Sequence, residues 1–196
     1  LWPQIVTLHL LFGFITTIML WLLYFRLLDV SSDVGIKWNF SNHLKSLISL
    51  ASVFVFLQIL LGAWTSTNYA AFSCPDFPLC QGQLFPETNF SGGFNIFQDI
   101  GPNYLGGQMD LESRTAIHIS HRFGAIFVTL ILSFLAWRIY KENFKRTALM
   151  LLGILLVQIL LGVSNIIFQL PLLIAVAHNL GGLSLITYLM VLRHRY

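Results

Sequence analysis

The stretch from Ala148 to Phe168 reads ALMLLGILLVQILLGVSNIIF and contains no charged residue. A membrane-spanning helix needs about 20 predominantly apolar residues, and this stretch meets that requirement on its own. Four other windows of the 196-residue chain have the same character, and they are Ile5–Leu28, Leu47–Trp64, Ala116–Trp137 and Leu172–Leu192. The sequence therefore predicts an all-α integral membrane protein with five membrane-spanning helices.

The composition of the whole chain supports this prediction. Hydrophobic residues make up 56% of the sequence and charged residues only 10%, whereas about 25% of an ordinary globular protein is charged. So apolar a chain is not disordered, because disorder needs low hydrophobicity and high net charge. The formal net charge is only +3, and no basic face is visible, which argues against a nucleic-acid partner. The partner that the composition indicates is a lipid bilayer.

The distribution of charge predicts the orientation in the membrane. Segment 65–115 contains one basic residue and five acidic residues. Basic residues instead flank the other connections and the C-terminus; they are Arg26, Lys37, Lys45, Arg138, Lys141, Lys145, Arg146, Arg193 and Arg195. Because Lys and Arg are enriched on the cytoplasmic side of membrane proteins, we expect the C-terminus to be cytoplasmic and segment 65–115 to lie outside.

Both cysteines, Cys74 and Cys80, lie in the segment predicted to be outside, in the sequence CPDFPLC. Disulfides persist in such compartments, and the two intervening prolines bend the chain so that the cysteines can approach each other. One interpretation is a disulfide that staples the loop, and a second is a redox-active pair. A metal site is disfavoured, because two cysteines without a nearby histidine give only half of a usual ligand set.

Two internal repeats are visible in the sequence. The pentapeptide QILLG occurs at 58–62 and again at 158–162. A second repeat places a proline, a histidine and a following glycine in the same order in the first and last spans; it comprises Pro3, His9 and Gly13, and Pro171, His178 and Gly181–Gly182. Membrane proteins are often built from repeated units with a binding site where the units meet.

Three of the six histidines, His9, His121 and His178, lie one to two turns inside predicted spans. At a rise of 1.5 Å per residue this depth is roughly 5–10 Å, so the three belong to one layer. An imidazole in the membrane needs a partner, which is either a neighbouring helix or a functional ligand. Because no Asp or Glu lies inside a span, zinc and proton-relay sites are disfavoured relative to haem, whose iron needs only one or two axial ligands.

We expect His121 and His178 to face each other across a haem, which the small residues Gly124, Gly181 and Gly182 allow to approach the backbone. Arg122 is positioned to pair with a haem propionate. For His118, one turn closer to the outside, contact with a propionate, contact with a substrate and a place at the membrane interface all stay open. His43 and His194 are interpreted as interface residues at span ends.

Longer motifs in the chain resemble the haem A synthase family. LGAWTSTNYAA at 61–71, followed by CPDFPLCQG at 74–82, resembles the opening of that family's second half with its cysteine pair. IHISHR at 117–122 resembles its ligand helix, and LGVSN at 161–165 and AHN at 177–179 resemble its last two helices. TLHLL at 7–11 resembles the last helix of the first half. The resemblance covers nearly the whole chain.

The resemblance implies an eight-helix bundle of two four-helix repeats, of which this chain holds the last five helices. Residues 1–46 are then the last helix of the first repeat and a cytoplasmic loop. Residues 47–196 are the second repeat, with the large outer loop at 65–115. The start at Leu1, which is not Met, and the absence of a second histidine for His9 agree with a chain that lacks the first three helices. We expect such a fragment to be inactive on its own.

The resemblance also implies an activity: oxidation of a methyl group of haem O to the formyl group of haem A, for cytochrome oxidase biogenesis, in the bacterial cytoplasmic membrane with loop 65–115 periplasmic. His121 and His178 match the axial ligands of a haem b cofactor, and His9 matches a ligand of the substrate haem. His118 stands where the first-half motif has a catalytic Glu, so His9 and His118 are the candidate catalytic residues. Haem O synthase is the implied partner, and a homo-oligomer is left open.

One alternative is a b-type cytochrome subunit that transfers electrons without a substrate haem; another is a transporter or assembly protein without haem.

Overall fold

The computed structural model describes residues 2–31, 40–97 and 109–195, and they are mostly helical. Among these residues, five helices are each long and apolar enough to cross a membrane, which confirms the prediction of five spans. With one short helix, α3, the α-helices in chain order are α1 (Pro3–Ser31), α2 (Asn42–Thr67), α3 (Phe90–Gly93), α4 (Leu111–Lys141), α5 (Lys145–Ile167) and α6 (Leu172–Arg195), and a 3-10 helix (Ala70–Ser73) follows α2. Leu1, Lys37 and Asp99, which entered the sequence predictions, lie outside the described residues.

Helices α2 and α4 each begin about one turn before the predicted spans at Leu47 and Ala116. Side-chain caps explain both extensions. The hydroxyl of Ser41 accepts a hydrogen bond of 3.2 Å from the main-chain N–H of Leu44. The carboxylate of Asp110 accepts one of 2.6 Å from Ser113. Such caps stabilise a polar first turn that hydropathy does not detect.

Four of the helices form a closed bundle. Helix α2 packs against α4 and α6, and α5 packs against the same two helices, so that α4 and α6 stand diagonally across the bundle. Helix α1 packs on the outside against α2 and α6, where the Oγ1 atoms of Thr7 and Thr67 lie 3.3 Å apart. The two ends of the bundle are called the loop end, where α2 ends and α4 begins, and the opposite end.

The tightly packed core occupies the opposite half of the bundle. Its fully buried members include Leu44, Ile48, Leu132, Leu135, Leu151 and Leu189. Towards the loop end the packing changes. Over residues 56–62, 119–127, 156–164 and 172–181 of the four helices, no described residue is buried. Fully buried side chains are therefore concentrated at the opposite end and are absent from these four segments, which include the level of the predicted histidine layer.

Segment 70–97 covers the loop end of the bundle. Trp64, near the end of α2, donates a 2.9 Å hydrogen bond from Nε1 to the carbonyl oxygen of Gly93 in α3. The main-chain N–H of Asn89 donates to the carbonyl oxygen of Glu112 at the start of α4. These bonds hold the covering segment against both α2 and α4.

Candidate functional site

The bundle brings His121 and His178 into one layer. His121 lies on α4 and His178 on α6, the two diagonal helices. The His121 ring lies against Gly62 of α2 and the His178 ring against Gly162 of α5. Each glycine is five residues before the last residue of its helix, at Thr67 and Ile167, which puts the two rings at the same level.

The two glycines are needed for the rings to occupy these positions. A Cβ atom at Gly62 would lie 2.9 Å from Cε1 of His121, a distance that real Cβ atoms essentially never show. A Cβ atom at Gly162 would lie 3.1 Å from Cε1 of His178, which is also tighter than ordinary contact. A larger residue at Gly62 would therefore force the imidazole of His121 to move or turn, and one at Gly162 would require a smaller shift of the His178 imidazole.

A glutamine stands one turn before each glycine. The side-chain Nε2 of Gln58 donates a 2.9 Å hydrogen bond to the carbonyl oxygen of His121 and lies 3.0 Å from Nδ1 of the same residue. Its Oε1 lies against Gly124, where any Cβ would clash with it. Sequence reasoning identified the repeated pentapeptide but gave its glutamine no role. The signal was the repetition of Gln and Gly at the same spacing in two different spans.

The second glutamine is arranged in the same way. Oε1 of Gln158 lies against Gly181, just as Oε1 of Gln58 lies against Gly124. Within the described ranges, Oε1 of Gln158 and Nδ1 of His178 are both buried without a hydrogen-bond partner. The main-chain carbonyl of Gln158 also lies close to the His178 ring. The α5–α6 pair thus reproduces the α2–α4 arrangement but leaves two polar atoms unsatisfied.

Arg122 connects the layer to the covering loop. Its Nη1 donates a 2.7 Å hydrogen bond to the carbonyl oxygen of Leu79, and its Nη2 donates to those of Cys74 and Asp76 at 3.0 and 2.9 Å. Its Nε donates to Nε2 of His118 at 3.3 Å. The guanidinium is thus hydrogen-bonded to main-chain carbonyls of the loop, and its pairing with a propionate stays a prediction.

A disulfide closes this loop, as one interpretation of the two cysteines predicted. Cys74 and Cys80 are bonded to each other, with their Cα atoms 4.5 Å apart. The Asp76 carboxylate accepts hydrogen bonds from the main-chain N–H groups of Gly82 and Gln81, at 2.8 and 2.7 Å. Together with the nearby charge of Arg122, these bonds lower the pKa of Asp76 below its ordinary value. The loop is therefore held by a covalent bond, by its own carboxylate and by Arg122.

The remaining histidines differ in their surroundings. The side chain of His118 is only 4% exposed and lies under the loop, so it is not at the surface of the structure. His9 is exposed on α1, and within the described part of the chain no hydrogen bond to its ring is seen. His43 and His194 are exposed at the opposite end. The structure thus brings His118 together with Arg122, places His121 at the same level as His178, and leaves His9 apart on the outer face.

Comparison with known proteins agrees with this arrangement. Residues 1–190 match the model of the COX15-CtaA family, described as a cytochrome oxidase assembly protein. This chain belongs to that family. It is 39% identical to the haem A synthase of Shewanella oneidensis over 97% of its own length, and 29% identical to that of Roseobacter denitrificans over 83%. The resemblance to haem A synthases predicted from the motifs is confirmed.

The COX15-CtaA chain is shorter than these relatives. It covers 57% of the Shewanella oneidensis protein and 38% of the Roseobacter denitrificans protein. A third relative, the haem A synthase of Maricaulis maris, is 31% identical over 67% of this chain and 36% of its own length. The chain is thus a multi-pass membrane protein of this family that spans about half the length of the relatives it matches.

Proposed function

We propose that this chain forms the haem b half of a membrane-bound haem A synthase, with His121 and His178 as the two axial ligands of one haem b. The observation that carries the proposal is that these histidines, on the diagonal helices α4 and α6, lie at one level. The ring of each is in close contact with a glycine of a neighbouring helix. Relatives that share almost all of this chain are named haem A synthases, which gives the site its context.

The residues of this layer fit a haem in two respects. Two histidines form a suitable axial donor set for haem iron, and each ring is held by close contact with its glycine. The level also lacks core side chains, because no residue of the four helix segments around it is buried. Buried side chains normally fill a protein interior, and the described residues of these four segments supply none at this level.

The roles of the chain's own residues follow from their contacts. A haem, when bound, supplies electron-transfer and oxygen chemistry that amino-acid side chains lack. His121 and His178 would hold it, and Gly62 and Gly162 orient their rings. Arg122 fixes the disulfide loop over this end of the bundle and so restricts the access of water. His118, buried beneath the loop, is proposed as a catalytic or propionate-binding residue.

The proposal also covers where the substrate haem binds and what reaction it undergoes. We propose that His9 ligates the substrate haem in a first repeat, of which α1 is the last helix, and that the complete protein has eight helices in two repeats. The reaction is the oxidation of a methyl group of haem O to the formyl group of haem A, with haem O synthase as the partner that supplies haem O. Loop 65–115 is periplasmic and the C-terminus cytoplasmic in this proposal, because basic residues flank the opposite end.

One observation favours a second candidate function. Only the His121–His178 pair is complete in the described bundle, whereas His9 is exposed without a partner. A b-type cytochrome subunit that transfers electrons needs no more than such a pair. Supplying haem O to membranes that contain the complete protein, then extracting the pigments, separates the two, because an electron-transfer subunit yields no haem A.

The ligand assignment is tested by a reduced-minus-oxidised spectrum of the purified protein after incubation with haem b. The wild type and the control variant His43→Ala, altered at an exposed histidine, should both give a b-type spectrum. His121→Ala and His178→Ala should each lose that spectrum. A spectrum that is unchanged in both ligand variants would overturn the assignment. The 196-residue chain alone should bind one haem and produce no haem A.

A further inference from the structure

We infer that Gln58 weakens the bond between His121 and the haem iron, so that His178 is the permanent ligand and His121 the exchangeable one. The inference rests on the haem ligation proposed above and deepens it, because it ranks the two ligands and assigns a role to the glutamine of one repeated pentapeptide. Gln58 is a positioning residue here, since it acts on the iron only through the imidazole of His121.

The side-chain amide of Gln58 presents a hydrogen-bond donor to the His121 ring. Its Nε2 lies 2.9 Å from the carbonyl oxygen of His121 and 3.0 Å from Nδ1 of the ring. Because the carbonyl oxygen can only accept, it must face the NH₂ group of the amide, which has two hydrogens to donate. Nδ1 therefore accepts the second hydrogen, and the neutral ring carries its own proton on Nε2.

The orientation of this amide is fixed on its other side as well. Oε1 of Gln58 lies in the space that a Cβ atom at Gly124 would fill. The oxygen is thus lodged against α4 at Gly124, while the nitrogen faces both the backbone and the ring of His121. A half turn of the amide would place its oxygen against the His121 carbonyl oxygen, so the donor stays opposite Nδ1.

A donor at this position opposes ligation by His121. In a neutral imidazole that binds a metal through Nε2, the proton resides on Nδ1. The proton of His121 must therefore move from Nε2 to Nδ1, where it meets the amide hydrogens of Gln58. Partners that accept the Nδ1 proton strengthen an imidazole ligand. A partner that donates at the same place has the opposite effect, so Gln58 weakens His121.

The ring of His178 has different surroundings. Among the described residues no donor faces its Nδ1, which is buried without a hydrogen-bond partner. The main-chain carbonyl of Gln158 lies close to this ring, and a carbonyl can only accept. A proton on Nδ1 of His178 thus meets no donor, and the lone pair of Nε2 can bind iron without a rearrangement. The two copies of the pentapeptide therefore treat their histidines unequally.

A purely structural role for Gln58 is the competing explanation, because polar side chains often join helices in membranes. The two roles predict opposite signs. If Gln58 only joins α2 to α4, its removal loosens α4 and makes His121 leave the iron more often. If Gln58 weakens the ligand, its removal makes His121 leave less often and lowers the midpoint potential, because a stronger imidazole donor stabilises ferric iron.

The first test measures how fast carbon monoxide binds to the reduced protein loaded with haem b. Carbon monoxide binds ferrous iron where a side chain has left, so its rate reports dissociation of the weaker histidine. Gln58→Met removes the donor and keeps the length of the side chain, and Gln58→Glu supplies a carboxylate acceptor. We expect binding to be about 10-fold slower in the methionine variant than in wild type, and slower still in the glutamate variant. The midpoint potential should fall in the same order.

The control for this test is Ser52→Ala, which also changes a polar side chain of α2. The hydroxyl of Ser52 donates to the carbonyl oxygen of Ile48 within the same helix, away from the histidine layer. Its removal should leave both the carbon monoxide rate and the potential unchanged. A rate that rises or stays constant in Gln58→Met overturns the inference, and so does a wild type that binds no carbon monoxide.

The second test compares His121→Ala with His178→Ala after loading with haem b and gel filtration. Both variants lose the six-coordinate b-type spectrum. His121→Ala should nevertheless retain haem on His178, in a high-spin form detected by EPR, whereas His178→Ala should lose haem about 10-fold or more faster. Equal retention or the reverse order overturns the ranking. If neither Gln58 variant folds, this comparison decides alone.

The outcomes separate this inference from the proposed function. A wild type that takes up no haem overturns both together. A wild type whose b-type spectrum depends on His121 and His178, combined with an unchanged carbon monoxide rate in Gln58→Met, overturns this inference only.

Discussion

The guanidinium of Arg122 donates a 3.0 Å hydrogen bond to the main-chain carbonyl oxygen of Cys74. Arg122 directly follows His121 in α4, so this bond connects the disulfide loop to the residue beside a proposed haem ligand. Two further carbonyl oxygens of the loop accept from the same guanidinium. Arginine suits this role because its donors are fixed in one plane and can serve several carbonyls at once.

Arg122→Gln should detach the loop from α4. Hydrogen bonds from a charged donor contribute about 1.5–3 kcal/mol each, and the half-buried position reduces this, so we expect a loss of about 2–4 kcal/mol in the free energy of unfolding. Hydrogen exchange in segment 74–82 should speed up, as measured by mass spectrometry in detergent. Arg146→Gln, at an exposed arginine of the opposite end, should leave the exchange unchanged. Equal protection in Arg122→Gln and wild type would show that the loop is held by other contacts.

Removal of the disulfide tests whether it is structural or redox-active. Closing a loop of this length lowers the entropy of the unfolded chain by an amount equivalent to about 2 kcal/mol. Cys74→Ser combined with Cys80→Ser should therefore lower the melting temperature and keep the b-type spectrum after haem loading, if the bond only staples the loop. Adding a thiol reductant to the wild type should lower its melting temperature by a similar amount. Loss of haem A production without loss of stability, when the same double substitution is made in the complete protein, would instead indicate a redox role.

The architecture was predictable because the decisive features are local in sequence. Uncharged stretches such as Ala148–Phe168 specify a membrane helix without reference to the rest of the chain, and all five were found. The first turns of α2 and α4 were missed, since a cap such as Ser41 or Asp110 acts through one hydrogen bond. Hydropathy averages over a window and cannot register a contact of that kind.

The site was predictable only in part, for a related reason. An isolated histidine in an apolar run is conspicuous, so His121 and His178 could be proposed as candidates from the sequence and expected in a common layer. A glutamine such as Gln58 gives no sign of the direction in which it points, and its contact with His121 depends on how α2 packs against α4. The bonds of Arg122 could not be predicted either, because they require the three-dimensional path of a loop held by its disulfide.

The Asp76 carboxylate should make the stability of the loop depend on pH. Hydrogen bonds from Gly82 and Gln81 hold its pKa below the ordinary value of 3.8, so the ionised form is favoured in the folded loop. A group with a lowered pKa in the folded state stabilises at pH values above its ordinary pKa, and this stabilisation is lost as the pH falls through the lowered pKa. Exchange protection of Gly82 should therefore fall on acidification below about pH 4. Asp76→Asn should show weak protection at every pH, and Glu87→Gln should behave as wild type.

Gly62→Ala and Gly153→Ala form a matched pair that tests the contact between Gly62 and the imidazole ring of His121. Both place a methyl group in a membrane-spanning helix, and alanine is the better helix former by about 1 kcal/mol. At Gly153 no atom lies within 4 Å of the new Cβ, so this variant should be as stable as wild type or slightly more stable and should load haem normally. At Gly62 the methyl group would lie 2.9 Å from Cε1 of His121, so the ring must turn or move.

We expect the Gly62→Ala variant to retain haem b about 10-fold more weakly and the EPR spectrum of the bound haem to change. Circular dichroism should report the same helix content as in the wild type. If Gly62→Ala takes up haem with the affinity and spectrum of Gly153→Ala, the ring of His121 is not held at this glycine during ligation.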